Sequence, residues 1–227
     1  MTTISANLQA VRMRMAAAAE LAGRAVEDIH LLAVSKTFPP ERVREAAGAG
    51  QSAFGENYVQ EGLAKVIALA DLGLEWHFIG PLQSNKTRPV AEHFAWVHGI
   101  ERLKIAERLS AARGAERPPL QVCIQVNVSG EASKSGVSPG DAAALARAVA
   151  TLPNLRLRGL MAIPEPTEDM ALARRRFATL RELRDRLNEK GFALDTLSMG
   201  MSHDLEAAIL EGATIVRVGT AIFGERA

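Results

Sequence analysis

The chain has 227 residues, a formal net charge of +1, 48% apolar residues and only 4% aromatic ones. This length fits one large domain with an aliphatic core, and the balanced charge gives no reason to expect nucleic acid or an acidic membrane as partner. A single cysteine excludes an internal disulfide and suits a reducing compartment, and no run reaches the roughly 18 apolar residues of a bilayer span, so the expectation is a soluble, cytoplasmic protein.

The chain opens with a helical pattern that puts Leu8, Val11, Met15 and Ala18 on one face. The apolar run 29–35 reads as a buried strand; Lys36 closes it, and Thr37-Phe38-Pro39-Pro40 breaks the chain straight after. A helix over 41–49, a strand over 52–55, a helix over 58–70 and a strand over 76–80 come next. Then follow a short helix over 86–93, a strand over 96–100, a helix over 101–113 and a strand over 120–127. Ser138-Pro139-Gly140-Asp141 reads as the N-cap and first turn of a helix reaching about residue 152. The last elements are strands over 157–163, 194–199 and 214–219, with helices over 167–190 and from His203 to 211. Strict alternation of short strands and helices predicts a parallel sheet, and eight units predict closure into a single-domain (β/α)8 TIM barrel spanning residues 1–227. The rival, an open doubly wound sheet, would be expected to carry Gly-x-Gly-x-x-Gly after its first strand, where this chain has Ser-Lys-Thr-Phe-Pro-Pro.

In such a barrel the active site lies at the C-terminal ends of the strands. Lys36 sits at the first of these ends. A lysine there is either an amine used in Schiff-base chemistry or a rim lysine whose stem covers the core edge while its head reaches solvent. Burial and Arg217 nearby would lower its pKa. Met201-Ser202-His203-Asp204 reads as a helix start offering a hydroxyl and backbone N–H groups to an anion, and Gly219-Thr220 opens the closing turn. Each segment also reads as plain structure, Ser202 as an N-cap and Gly219 as a turn. Arg217, inside Ile215-Val216-Arg217-Val218, is either held by a structural acid, turned outward, or a donor to a ligand's ring nitrogen or carboxylate. Cys123 reads as a buried structural thiol, and no His, Cys and carboxylate grouping has metal-ligand spacing. The arginines between 174 and 186 alternate with acids and read as a solvated face. Together an imine-forming lysine, an anion cup and an inward arginine suggest pyridoxal 5′-phosphate (PLP).

At these residues the chain resembles the YggS/PROSC family of PLP homeostasis proteins. The likeness is carried by Leu32-Ala33-Val34-Ser35-Lys36-Thr37, Phe54-Gly55-Glu56-Asn57-Tyr58-Val59-Gln60-Glu61 and Trp76-His77-Phe78-Ile79-Gly80-Pro81-Leu82-Gln83-Ser84-Asn85-Lys86. It continues through Ser133-Lys134-Ser135-Gly136, Arg158-Gly159-Leu160-Met161-Ala162-Ile163-Pro164, Leu197-Ser198-Met199-Gly200-Met201-Ser202 and the closing 216–224. The resemblance implies a barrel like the N-terminal domain of alanine racemase (PLP fold type III) without the C-terminal β-domain. It places PLP as a Schiff base on Lys36. It puts the phosphate on Ser202 and the backbone around Gly219 and Thr220, and Arg217 at the pyridine nitrogen. Asn57 could contact the ring or merely cap a helix.

An always-charged arginine at the ring nitrogen weakens the electron sink and disfavours deep carbanion chemistry. The function expected is to bind, buffer and pass on PLP without a dedicated reaction, with PLP-dependent apoenzymes as transient acceptors and a monomeric state. The alternatives are a weak amino-acid racemase using Lys36 and Tyr58, or an aldolase-like barrel acting on a sugar phosphate. Tyr58 more readily packs or makes a phenolic hydrogen bond. His77 reads as an uncharged core histidine as readily as a functional one, and Lys86 and Lys134 as solvated loop lysines.

Overall fold

A computed structural model describes residues 3–130 and 135–225. Among them, β1 (His30–Val34), β2 (Ala53–Glu56), β3 (Glu75–Phe78), β4 (Trp96–Ile100), β5 (Leu120–Gln125), β6 (Leu155–Met161), β7 (Thr196–Ser198) and β8 (Ile215–Val218) pair in parallel in chain order. The eighth strand returns to the first, pairing Leu32 with Arg217 and Ala33 with Val218, which closes the barrel. The expected (β/α)8 architecture is the one observed.

Period-two alternation decides which side chain faces which way. Ala33, Phe54, Phe78, Val97, Ile124, Leu160, Leu197 and Val216 belong to the main core shared with the helices. Their strand neighbours form small clusters of their own, Leu32, Val34, Ile79 and Ile215 in one and Trp96, Cys123 and Met161 in the other. Those residues line the barrel interior. His98 on β4 and Ser198 on β7 hydrogen-bond across the barrel at 2.7 Å, which marks the same side as inside.

The outer layer consists of α1 (Ile4–Leu21), α2 (Pro40–Gly48), α3 (Val59–Ala68), α4 (Thr87–His93), α5 (Leu103–Ala112), α6 (Ala142–Ala150), α7 (Met170–Glu189), α8 (Leu205–Leu210) and the short α9 (Thr220–Phe223). Burial of Phe177, Leu180, Leu183 and Leu187 along one stripe of α7 shows how each helix docks. Within α7, Arg184 pairs with Asp185 at 2.7 Å and Arg186 with Glu182 at 3.9 Å, as the interleaved charges predict, whereas Arg174 and Arg176 reach Glu211 and Glu165 outside the helix.

Several helix starts fall later than expected, α5 among them at Leu103 and not at 101. α6 begins at Ala142, because Ser138 and Asp141 close a turn of their own: Ser138 Oγ donates to Asp141 Oδ2 at 2.6 Å and accepts the Asp141 N–H at 3.2 Å. α7 begins at Met170, where the Asp169 carboxylate accepts the N–H groups of Ala171 and Leu172. α8 begins at Leu205, not at His203, for the reason given below. Among the described residues no helix is long and apolar enough to cross a membrane.

Candidate functional site

At the C-terminal mouth of the barrel lies a cavity of about 220 Å³, and Lys36, Asn57, Ser202, Arg217, Gly219 and Thr220 all line it. Val34, Ile79 and Ile163 give it an apolar wall. A larger cavity of about 860 Å³ opens at the other end, against Glu75, His77, Trp96 and Arg158, and shares no lining residue with the mouth. The six residues read from sequence therefore converge on one place, although they come from four different strand ends.

Lys36 stands two residues past β1 and is half-buried, not buried as expected of a strand end. Its direction is set by its flanks. Thr37 adopts a left-handed backbone with φ 69°, which costs a β-branched residue on the order of 1 kcal/mol or more. A buried ion cluster holds that turn. Lys65 Nζ, from α3, donates to the Ser35 carbonyl at 2.7 Å, to Glu56 Oε1 at 2.7 Å and to Glu61 Oε1 at 2.6 Å. Ser35 Oγ donates to the same Glu56 oxygen at 2.6 Å, and Glu61 Oε1 accepts the Thr37 N–H at 2.5 Å. Both residues beside Lys36 are thus tied to one ammonium that is 3% exposed. Burial pushes the Glu56 carboxyl above its ordinary range, and Lys65 opposes that shift. The helix lysine gave no sequence signal beyond its i,i+4 spacing from Glu61.

Arg217 is 3% exposed. Its Nη1 donates to Ser198 Oγ at 2.7 Å and its Nη2 to the Ala162 carbonyl at 2.9 Å. Among the described residues no carboxylate lies in ion-pair contact with it, so neither the structural-acid reading nor the outward one holds. Burial pushes its pKa down to about 10, with Asp204 acting the other way, so it stays charged at neutral pH. A cation held only by neutral partners and facing a cavity is suited to an incoming acceptor.

Ser202 does not cap α8. Asp204 Oδ1 accepts the Met201 N–H at 2.6 Å and closes a turn over 201–204, which leaves the Ser202 hydroxyl facing α9, where it accepts the Ala221 N–H at 3.4 Å. Arg14 of α1 fixes the Ser202 carbonyl at 3.0 Å. Gly219 lies so close to β1 that a Cβ there would meet the Val34 carbonyl oxygen at 3.2 Å. Hydroxyl, glycine backbone and Thr220 thus form one rim of the mouth.

Asn57 Oδ1 is buried and has no hydrogen-bond partner among the described residues. A buried acceptor in a cavity wall calls for a donor from a ligand. Gly80 makes the Asn57 position possible, since a Cβ there would stand 2.2 Å from the Asn57 carbonyl oxygen.

The other residues named from sequence stay apart. Tyr58 is 57% exposed and outside the cavity lining, and among the described residues its phenol makes no hydrogen bond. His77 is buried, and burial lowers its pKa despite Glu75, so it is an uncharged interior ring. Lys86 ends a short 3-10 turn, Ser84–Lys86, away from the cavity lining. Ser133 and Lys134 lie outside the described residues. Cys123 is fully buried and its thiol is pushed up to about 12, as a structural cysteine should be. Sequence reading did not single out Glu56, Lys65, His98 or Ser198 as parts of the site's support.

Residues 6–227 match the family model of the alanine racemase N-terminal domain. A pyridoxal phosphate homeostasis protein of Pseudomonas aeruginosa is 64% identical over 100% of this chain and 97% of its own length, and one of Escherichia coli is 55% identical over 100% and 98%. The structure of PipY from Synechococcus elongatus, with PLP bound, superposes with a TM-score of 0.81 at 39% identity, covering 92% of this chain and 100% of that one. Alanine racemase of Corynebacterium glutamicum shares the fold, with a TM-score of 0.68 at 19% identity over 96% of this chain and 62% of its own. Built on that barrel and alike over nearly its full length, the chain belongs to the family of pyridoxal phosphate homeostasis proteins.

Proposed function

We propose that this protein binds PLP at the barrel mouth and serves to hold, buffer and hand on the cofactor inside the cytoplasm. The observation that supports this most strongly is convergence: a primary amine, a buried cation, a hydroxyl rim and an orphan acceptor share one small cavity. PLP carries an electrophilic aldehyde, a phosphate and a ring nitrogen, and the donor set fits all three.

Bound PLP supplies an aldehyde that condenses reversibly with a primary amine, releasing one water, and a ring that withdraws electrons. Lys36 is the amine on this reading, aimed by the Thr37 turn and the Lys65 cluster. Ser202, Gly219 and Thr220 receive the phosphate. Arg217 donates to the ring nitrogen and, being always charged there, leaves that nitrogen without a proton. Asn57 accepts from a donor at the ring edge. The apolar wall of Val34, Ile79 and Ile163 limits water at the amine.

Tyr58, the second acid or base that a racemase would use opposite Lys36, stands outside the mouth; among the described lining residues the other side chain able to exchange a proton is His203, next to the Ser202 rim assigned to the phosphate. This supports a carrier over a racemase. The protein acts as one barrel domain over residues 1–227 and as a monomer, with PLP-dependent apoenzymes as acceptors.

The test is the visible spectrum of the purified full chain with PLP, followed by borohydride reduction and peptide mapping. A yellow protein with a pyridoxyl adduct on Lys36, absent in Lys36→Ala, is expected. A colourless, unmodified chain would overturn the reading. Exchange of an amino acid's α-proton in deuterated water, lost in Lys36→Ala, would restore the racemase.

A further inference from the structure

We infer that Glu75, His77, His98 and Ser198 are positioning residues that form a proton-ordered relay, fixing the direction of Arg217 from the opposite end of the barrel. Four hydrogen bonds link the five groups. Arg217 Nη1 meets Ser198 Oγ at 2.7 Å, Ser198 Oγ meets His98 Nδ1 at 2.7 Å, His98 Nε2 meets His77 Nδ1 at 2.9 Å, and His77 Nε2 meets Glu75 Oε1 at 2.8 Å. The chain runs from the mouth to the wall of the large cavity below.

Its two ends decide every proton between them. A carboxylate only accepts, so His77 must donate from Nε2. The neutral ring then has a bare Nδ1, which requires His98 to donate from its Nε2. That leaves the His98 Nδ1 bare, so Ser198 must donate its hydroxyl proton there. Ser198 Oγ is then an acceptor only, and it faces a guanidinium, which only donates. One arrangement satisfies all four contacts. A protonated His77 would donate from Nδ1 as well as Nε2, turn His98 to its other tautomer, deliver two N–H donors to Ser198 (from His98 and Arg217) and leave its hydroxyl proton without an acceptor in the chain. Burial keeps both rings neutral, in keeping with this order.

The rings are also fixed in place. His77 stacks on Trp96 at 5.3 Å with planes 6° apart, and Arg158 covers the Trp96 ring at 5.0 Å. Arg158 is clamped in turn by Asp195 at 2.8 Å. A flexible buried guanidinium with neutral partners could turn in several directions; a relay whose donors and acceptors admit one order holds it in one.

The first experiment needs no cofactor. In the full chain labelled with 15N-histidine at neutral pH, His77 and His98 are expected as neutral rings protonated at Nε2. A scalar coupling between His98 Nε2 and His77 Nδ1 across the hydrogen bond is expected as well. Either ring protonated at Nδ1 overturns the relay. In Glu75→Leu both rings should mix tautomers, and unchanged rings in the folded variant would refute the ordering. The link to the mouth rests on the PLP reading: Ser198→Ala should leave both tautomers intact yet raise the Kd for PLP about tenfold. An unchanged Kd would remove Arg217 from the relay's reach. Failure of the unaltered chain to bind PLP would sink the cofactor reading and leave the tautomer result standing.

Discussion

Lys65→Met removes one ammonium from beneath Lys36 while keeping most of the side chain's volume. Glu56, fully buried, then keeps a carboxylate whose charged partner is gone. Breaking a buried pair in this way costs about 3–5 kcal/mol. Glu56 has an escape, since it can take up a proton. From an ordinary value of 4.5, protonation at pH 7 costs at most about 3.4 kcal/mol, and the upward shift that burial already imposes lowers that ceiling. The expected loss is therefore about 3 kcal/mol at pH 7. Its pH dependence has a fixed sign. The folded-state pKa of Glu56 lies above the unfolded one and rises further in the variant, so the folded variant gains protons, and stability relative to the parent, as pH falls. The penalty should shrink between pH 7 and pH 5. Urea unfolding followed by the fluorescence of Trp76 and Trp96 measures it at both pH values. A loss below about 1 kcal/mol, or one unchanged at pH 5, would refute the account of Glu56 as the burdened group. PLP binding should weaken in the same variant, because Ser35 and Thr37 lose their common anchor.

His77 and His98 stay neutral in the fold, with pKa values lowered by burial, while the unfolded chain protonates them near 6.5. Their contribution is present above pH 6.5 and is lost as pH falls below it, by up to about 1.4 kcal/mol per ring per pH unit; His98→Asn should remove one ring's share of that slope in urea titrations from pH 6.5 to 5. Cys123 should resist an aromatic disulfide reagent in the native protein and react fully in urea; rapid native labelling would contradict its burial. Gly159→Ala would set a Cβ 1.8 Å from the Thr196 carbonyl oxygen, across the β6–β7 pairing, and should lower stability by about 3 kcal/mol in thermal or urea unfolding.

Strand count, parallel order and closure were legible because each strand is a short apolar run ended by glycine, proline or a polar cluster. The mouth was legible for a related reason: in a barrel, the residues that follow strands come together whatever their separation in sequence. Lys36, Asn57, Ser202, Arg217, Gly219 and Thr220 each stand at or beside such an end. What lay beyond reach was local hydrogen bonding and side-chain partnership. Ser202 looked like a cap because Asp204, two residues on, was read as part of the helix; in fact its carboxylate closes the turn before α8. At Ser138 the expected cap contact is present, its hydroxyl oxygen accepting the Asp141 N–H at 3.2 Å, but the regular helix starts only at Ala142. Lys65 looked like any helix lysine, and nothing in the spacing shows that α3 turns it under β1 and β2. His98 lies in an apolar strand, where a histidine reads as core until its neighbours across the barrel are known.

The seam between β1 and β8 bears on synthesis. Lys36 and the residues that would receive the phosphate lie more than 160 positions apart in sequence, and β1 and β8, which carry Lys36 and Gly219 at their ends, pair only when the circle closes. At roughly 5–20 residues per second, the ribosome needs on the order of 10–40 s to travel from the first of these strands to the last. Throughout that time the nascent chain has its amine but no cup to hold a phosphate against it. A reactive aldehyde met early would find an ordinary surface lysine, and selective capture becomes possible only when the closing strand has emerged and docked. Whatever occupies the mouth then binds the closed form alone and draws the equilibrium toward it, by an amount that grows with the logarithm of its concentration.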